Sequence, residues 1–403
     1  MRYLRRDVKL MRKSSNTLRI ALVHDSLNPC GGAERLALAM ARALKELGHS
    51  VDLYVIEATD WNRVEKLTSY NRRVVDKEHV LPPFKSFPII YSRLLHWFGR
   101  DVVGYHIVKK HNYDLVIATK QILVPVFVDV LYMHFPDFLP GFDYLYYPER
   151  YLYNTMLRIY SRPLELATKT LISLLKSIRY KPAILTNSRF SASIIERFLN
   201  VKAIVLTPPV NIEKYLTLSK HKDRENIVVT ISRIEPMKNL DIIIDIAKEV
   251  KEARFVILGS MQSNSYYAHL MRRIRMLNLE DKVKVLVNAS EELKMEILKK
   301  AKIYLHPTKY EHFGIAVVEA MAAGLIPIVH KSGGPWMDIV EFGKYGFGFS
   351  NLEEAEHIIY NLTHLSEGEL CTIREKAVVK AKTFSYDVFL RRLNIIVNNL
   401  TII

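Results

Sequence analysis

From residue 18 almost to the end, short runs of apolar and β-branched residues alternate with longer amphipathic stretches. Short bounded runs of that kind are buried parallel strands, and the stretches between them carry helix periodicity. Residues 18–24 (Leu-Arg-Ile-Ala-Leu-Val-His) read as the first strand. The glycine pair Gly31-Gly32 follows, then an amphipathic helix over 33–47 that stops at Gly48, and a second strand over 51–56. That is a βαβ unit. Further strands are expected at 113–119, 128–134, 183–187 and 203–206, with Ser188-Arg189-Phe190-Ser191 and then a helix to about 199 between the last two. The alternation breaks at Pro208-Pro209 and in the polar, basic residues after it, then restarts. Strands at 226–232, 254–258, 282–286, 303–306 and 326–330 are interleaved with helices at 240–251, 266–277 and 291–301. A helix from Gly333-Gly334-Pro335 to Glu341, a loop at 346–348 and further helices complete the chain. Regular βα order with right-handed crossovers predicts two doubly wound α/β domains facing a cleft.

The expected division is a basic leader over 1–17, a first domain over 18–207, a linker over 208–225, a second domain over 226–384, and a C-terminal helix over 385–403 that packs back on the first domain. A chain of 403 residues suits two cores, and 25% charged with 49% hydrophobic residues is globular composition. Cys30 and Cys371 match no metal-ligand spacing and are too few to staple a secreted fold, so a reducing compartment and no disulfide are expected. No apolar run is long enough to span a bilayer, and residues 1–19 lack the apolar core of a signal peptide.

Charge changes the picture because it is unevenly placed. The chain carries +16 overall, and windows 1–20 and 150–181 each hold seven Lys/Arg against one acidic residue. Clusters of that kind suit an anionic surface or a pyrophosphate-bearing substrate. Residues 82–100 mix aromatics, aliphatics and bases, suiting either a membrane interface or packing on the domain.

Candidate chemistry gathers around residues 311–324, Glu-His-Phe-Gly-Ile-Ala-Val-Val-Glu-Ala-Met-Ala-Ala-Gly. Glu311 and Glu319 flank a Phe-Gly turn that opens a short helix. Helix N-termini attract anions, so a phosphate at the turn would have a carboxylate on either side, each able to accept hydrogen bonds from neutral hydroxyls. By itself this spacing is equally that of two solvated glutamates. Arg233 and Lys238, five residues apart on one loop, suit a diphosphate or an ordinary basic surface. His134 stands at the C-terminal edge of an expected strand, where open α/β sheets bind ligands.

Five motifs occur together and in order: Gly-Gly-Ala-Glu-Arg-Leu at 31–36, Thr-Asn-Ser-Arg-Phe-Ser at 186–191, Ser-Arg-x4-Lys-Asn at 232–239, Glu-His-Phe-Gly-Ile-x3-Glu-Ala-Met-Ala at 311–322 and Ser-Gly-Gly-Pro at 332–335. From about residue 18 onward the chain resembles the retaining nucleotide-sugar glycosyltransferases of family four, which have the GT-B architecture. Its second half looks most like the α-1,2-mannosyltransferases of lipid-linked oligosaccharide synthesis, while Gly-Gly-Ala-Glu-Arg-Leu looks more like the α-1,3/1,6-mannosyltransferases of that pathway.

The resemblance implies that Glu319 holds the donor's ribose hydroxyls and Glu311 a hydroxyl of the transferred sugar. It implies that backbone groups of Phe313, Gly314, Ile315 and Ala316 touch sugar and phosphate, and that Arg233 and Lys238 bind the diphosphate. Gly31 and Gly32 would border phosphates and acceptor, and His134 would stand near the transferred sugar. Neither a glycosidase-like pair of carboxylates nor an Asp-x-Asp motif is found where this class would need one, so metal-independent transfer with retention and no cofactor is expected. GDP-mannose is the favoured donor and a UDP-hexose the alternative. The expected acceptor is a lipid-linked glycan or glycolipid, met by a peripheral enzyme at the cytoplasmic face of an anionic membrane through residues 1–20 and 150–181. A soluble glycan or metabolite is the other acceptor. A noncatalytic basic nucleic-acid-binding protein is the reading from a different class. It lacks a recognisable nucleic-acid module, so no nucleic-acid partner is expected.

Overall fold

A computed structural model of the chain describes residues 17–81, 111–119, 128–136 and 182–401. Most of the basic leader, the 82–100 stretch and the 150–181 window lie outside the described residues. The chain divides into two compact units, the first formed by Met1–Asn187, Ser191–Leu206 and Phe389–Ile403, the second by Ser188–Phe190 and Thr207–Val388.

The first unit is a parallel sheet of β1 (Arg19–Val23), β2 (Ser50–Val55), β3 (Lys77–Val80), β4 (Leu115–Ala118), β5 (Val130–Tyr132), β6 (Ala183–Thr186) and β7 (Ala203–Val205). Its spatial order is β3-β2-β1-β4-β5-β6-β7. The helices α1 (Gly32–Glu46), α2 (Trp61–Thr68) and α3 (Arg189–Leu199) belong to the crossovers. The sequence pattern missed α2 and β3. In β3 no residue is buried and three of the four are charged or imidazole-bearing, as suits an edge strand, so the apolar signal is absent there.

The second unit begins with α4 (Glu213–Leu216). Its strands are β8 (Glu225–Ile231), β9 (Arg254–Gly259), β10 (Val283–Val287), β11 (Ala301–His306), β12 (Ile326–His330) and β13 (Phe347–Phe349), in the order β10-β9-β8-β11-β12-β13. The helices are α5 (Asp241–Glu249), α6 (Asn264–Met276), α7 (Glu291–Lys300), α8 (Ile315–Ala322), α9 (Leu352–His364) and α10 (Glu367–Lys382). Strand alternation splits the core in two. Ile303 and Leu305 face a cluster with Phe255, Ile257 and Ile359, whereas Tyr304 faces Val317, Met321 and Phe384. The last helix, α11 (Tyr386–Thr401), buries Phe389, Leu393 and Val397, four residues apart on one face.

Three expectations differ from the structure. Residues 346–348, read as a loop, lead into β13, which pairs with β12 through Ile328↔Phe347 and buries Phe349. The helix expected up to Glu341 is a π-wound turn over Pro335–Ile339. Finally, residues 208–225, read as a linker from their polarity, pack into the second unit, with Val210, Ile212 and Tyr215 buried in its core.

The cause of that packing is Arg224. Its guanidinium donates to the carbonyls of Leu298 at 2.9 Å, Ala301 at 2.6 Å, Leu218 at 2.8 Å and Ala323 at 2.5 Å. The last turns of α7 and α8 thereby find donors for carbonyls that a helix end leaves unpaired. Burial and the neighbouring Arg374 pull the Arg224 pKa down to about 10, so the group is still a cation at neutral pH. Arg224→Met leaves the buried carbonyls of Leu298, Ala301 and Ala323 without their side-chain donor and is expected to cost at least about 3 kcal/mol. Urea unfolding followed in the second unit measures this, and a loss below about 1 kcal/mol would contradict the role given to Arg224.

Candidate functional site

In open α/β sheets ligands bind beyond the carboxyl ends of the strands, at the point where strand order reverses. In the second unit that point lies between β8 and β11. The loop after β8 carries Arg233 and Lys238; the loop after β11 carries Glu311. Ser232 continues the ladder by donating to the Leu258 carbonyl at 2.9 Å, after which Pro236–Lys238 makes a single 3-10 turn. That turn brings the Lys238 ammonium 2.6 Å from the Glu311 carboxylate. Arg233 instead pairs with Glu235 at 2.9 Å and keeps 57% of its side chain exposed, which leaves it able to reach a ligand.

The Glu311 loop is fixed from above by Ser-Gly-Gly-Pro. Gly334 donates to the Glu311 carbonyl at 2.8 Å, and Tyr310 N–H donates to the Ser332 hydroxyl at 2.8 Å. A Cβ at Gly334 would lie 2.2 Å from the His312 carbonyl oxygen, and one at Gly333 would lie 2.4 Å from that of Glu311. Side chains are excluded there by the closeness of the two loops. Gly314 then caps α8 in the left-handed region at φ +94°, and Phe313 turns inward against Phe384. Of the predicted backbone contacts, Gly314, Ile315 and Ala316 therefore sit at a helix N-terminus, and the Phe313 side chain is core.

Burial opposes the charge on Glu311, but Lys238 and the adjacent His306 outweigh it and hold the carboxyl well below the usual range. His306 Nε2 stands 3.7 Å away, nearly fully buried. Burial pushes His312 down to about 4 against the attraction of Glu311, and pushes His330 down to about 4 together with Lys309 and His306. Both rings are neutral near pH 7.

Glu319, inside α8, has its own cation. Lys294 of α7 reaches its Oε2 at 2.9 Å and the Tyr215 hydroxyl at 2.8 Å. Lys294 and Tyr215 were not picked out from the sequence. A lysine in a helix of three lysines and three glutamates carries no signal, and Tyr215 lay in the stretch read as linker.

In the first unit the predicted residues cluster beyond β1, β4 and β5. His134 Nε2 donates to the Thr119 carbonyl at 3.3 Å, and the Thr119 hydroxyl lies 2.9 Å from Nδ1 of the buried His24. His24 Nε2 is 3.6 Å from Glu34, whose other oxygen accepts from Gly31 N–H at 2.8 Å. A Cβ at Gly31 would press on that oxygen, so glycine there serves a local capping box; Gly31 and Gly32 are both exposed at the start of α1. His24, Thr119 and Glu34 were also missed.

Two family models match. "Glycosyl transferases group 1" covers residues 211–382 and "Glycosyltransferase Family 4" covers residues 30–214. Between them they match residues 30–382, and with the two parallel sheets they show a glycosyltransferase of GT-B architecture. Among its relatives is the Neurospora crassa GDP-Man:Man(3)GlcNAc(2)-PP-Dol alpha-1,2-mannosyltransferase, 32% identical over 47% of this chain and 37% of the relative. The match thus spans little more than a third of that protein. The Kluyveromyces lactis alpha-1,3/1,6-mannosyltransferase is 23% identical over 81% of this chain and 72% of its own. Anabaena HepE, solved with UDP and glucose, has the same fold, with a TM-score of 0.68 and 20% identity over 95% of this chain and all of its own.

The depressed histidines set an acid dependence. In the unfolded chain each ring titrates near 6.5, so the unfolded state binds more protons below that pH. Their contribution is fully present above about pH 6.5 and is lost as pH falls toward 4. Urea unfolding between pH 7 and 4.5 should show a loss of a few kcal/mol, and His330→Gln should flatten part of it. A stability independent of pH across this window would contradict the assignment.

Proposed function

We propose that the chain transfers mannose from GDP-mannose to a lipid-linked glycan, with retention of configuration and without a metal ion. The observation that carries this reading is the pair of lysine-bound carboxylates, Glu311 with Lys238 and Glu319 with Lys294, at the two ends of the Gly314 turn. Glu319 takes the ribose hydroxyls and Glu311 a hydroxyl of the transferred sugar. The diphosphate lies between them at the N-terminus of α8, within reach of Arg233 and Lys238. Gly31 and Gly32 border phosphates and acceptor, and His134 stands near the transferred sugar.

The acceptor oxygen bonds to the anomeric carbon as the sugar–phosphate bond breaks. Negative charge grows on the departing diphosphate, where Arg233, Lys238 and the helix N-terminus stabilise it. The acceptor's proton passes to an oxygen of that diphosphate from the same face. These groups supply the positive charge that the step requires. The mannosyl and lipid-linked specificity is taken from the names of the relatives, and HepE, bound to UDP, favours a UDP-hexose as the second donor to try.

Two clusters of bases at 1–20 and 150–181 suit a peripheral enzyme on the cytoplasmic, anionic face of a membrane. Among the described residues no helix is long and apolar enough to cross one.

Arg233→Ala should lower kcat/KM for transfer from GDP-mannose to a polyprenyl-linked chitobiosyl mannoside by ~100-fold or more, by analogy with the loss of one oxyanion donor. Kinetics within about threefold of the parent would remove Arg233 from the mechanism. Transfer from neither GDP-mannose nor UDP-glucose in the parent would overturn the reading itself.

A further inference from the structure

Lys294 is an unusual place for a buried lysine unless it serves its neighbours. Only 17% of its side chain is exposed, and it sits between Glu319, 18% exposed, and the buried Tyr215. Its ammonium donates to Glu319 Oε2 at 2.9 Å and to the Tyr215 hydroxyl at 2.8 Å, and lies 5.1 Å from the centre of the Tyr215 ring. Three elements meet there: α4, α7 and α8. A second pair, Lys214 with Glu291 at 2.6 Å, ties α4 to α7 one turn away. The three side chains are therefore held by backbone that is itself fixed.

Resting on the ribose reading of Glu319, we infer that Lys294 and Tyr215 are positioning residues that make this carboxylate selective for the ribose hydroxyls of the donor. A carboxylate near a diphosphate is repelled by it unless a cation stands behind it. Lys294 supplies that cation from a partly buried position between Glu319 and Tyr215. By occupying Oε2 it also orients the group, so that Oε1 meets the sugar hydroxyls. Burial works against the charge on Lys294, but Glu319 and Tyr215 together raise its pKa, and burial keeps the Tyr215 hydroxyl protonated. Lys294 thus stays a cation and Tyr215 a neutral phenol across the working pH range. A lysine that only filled space would need no phenol and no carboxylate.

The test is the ratio of affinities for GDP and 2′,3′-dideoxy-GDP, measured by titration calorimetry on the full chain, with the UDP pair in parallel. The parent should prefer the ribonucleotide by ~10-fold or more, the range for losing hydrogen bonds to a charged group. Glu319→Gln should abolish most of that preference. Lys294→Met should reduce it at least ~3-fold, Tyr215→Phe should reduce it less, and Lys294→Arg should retain it. A folding defect alone lowers the fraction of active protein and leaves the ratio unchanged. Should Lys294→Met not fold, Tyr215→Phe, which keeps the ring and removes only the hydroxyl, carries the test. A parental ratio in folded Lys294→Met, or in Tyr215→Phe where that variant decides, overturns the positioning role. Absence of ribose preference in the parent, or its survival in Glu319→Gln, overturns the ribose reading beneath it.

Discussion

Two carboxylates, Glu311 before α8 and Glu319 within it, flank the helix end proposed to receive a diphosphate, and the second unit places a cation against each. At a separation of roughly 5–6 Å and an effective dielectric of about 20, each like-charge contact would cost about 3 kcal/mol. The protein answers with one lysine for each: Lys238 at 2.6 Å from Glu311, Lys294 at 2.9 Å from Glu319. Both pairs are formed from different elements, so neither carboxylate depends on its neighbour in sequence for its charge. His312, next to Glu311 in the chain, adds nothing to the positive field near pH 7, because burial strips it of its proton.

Charge balance is useful only if the backbone holds still. Here that task falls to the contact of residues 310–314 with 332–335, where two consecutive carbonyls approach glycines too closely for any side chain. Beneath it, Arg224 ties the ends of α7 and α8 to the entry segment of the unit. Since α7 carries Lys294 and α8 carries Glu319, the same guanidinium ties together the ends of the two helices that form that ion pair.

The strands and most helices were legible because parallel strands buried on both faces read as apolar runs: β8, β11 and β12 needed no tertiary information. What failed did so for physical reasons. β3 and α2 lie at a sheet edge with little apolar content. β13 is three residues long and glycine-rich. The entry segment 208–225 is polar because its main anchor is a buried guanidinium, which composition cannot distinguish from a surface base. At the site, Glu311, Glu319, Arg233, Lys238 and Gly314 were readable from motif and spacing, and Lys238 with Glu311 proved to be a direct pair. Lys294, Tyr215 and His306 were not, since each acquires its role only from a neighbour far away in sequence.

The central claim is that Glu311 and Glu319 meet opposite ends of one donor. Calorimetric affinities for GDP-mannose and GDP on the parent, Glu311→Gln and Glu319→Gln decide it. Glu319→Gln should weaken both ligands by the same factor, leaving their ratio within about twofold of the parent. Glu311→Gln should weaken GDP-mannose selectively and shift the ratio. Equal loss of both ligands in Glu311→Gln, or a selective loss of the sugar nucleotide in Glu319→Gln, would contradict the account.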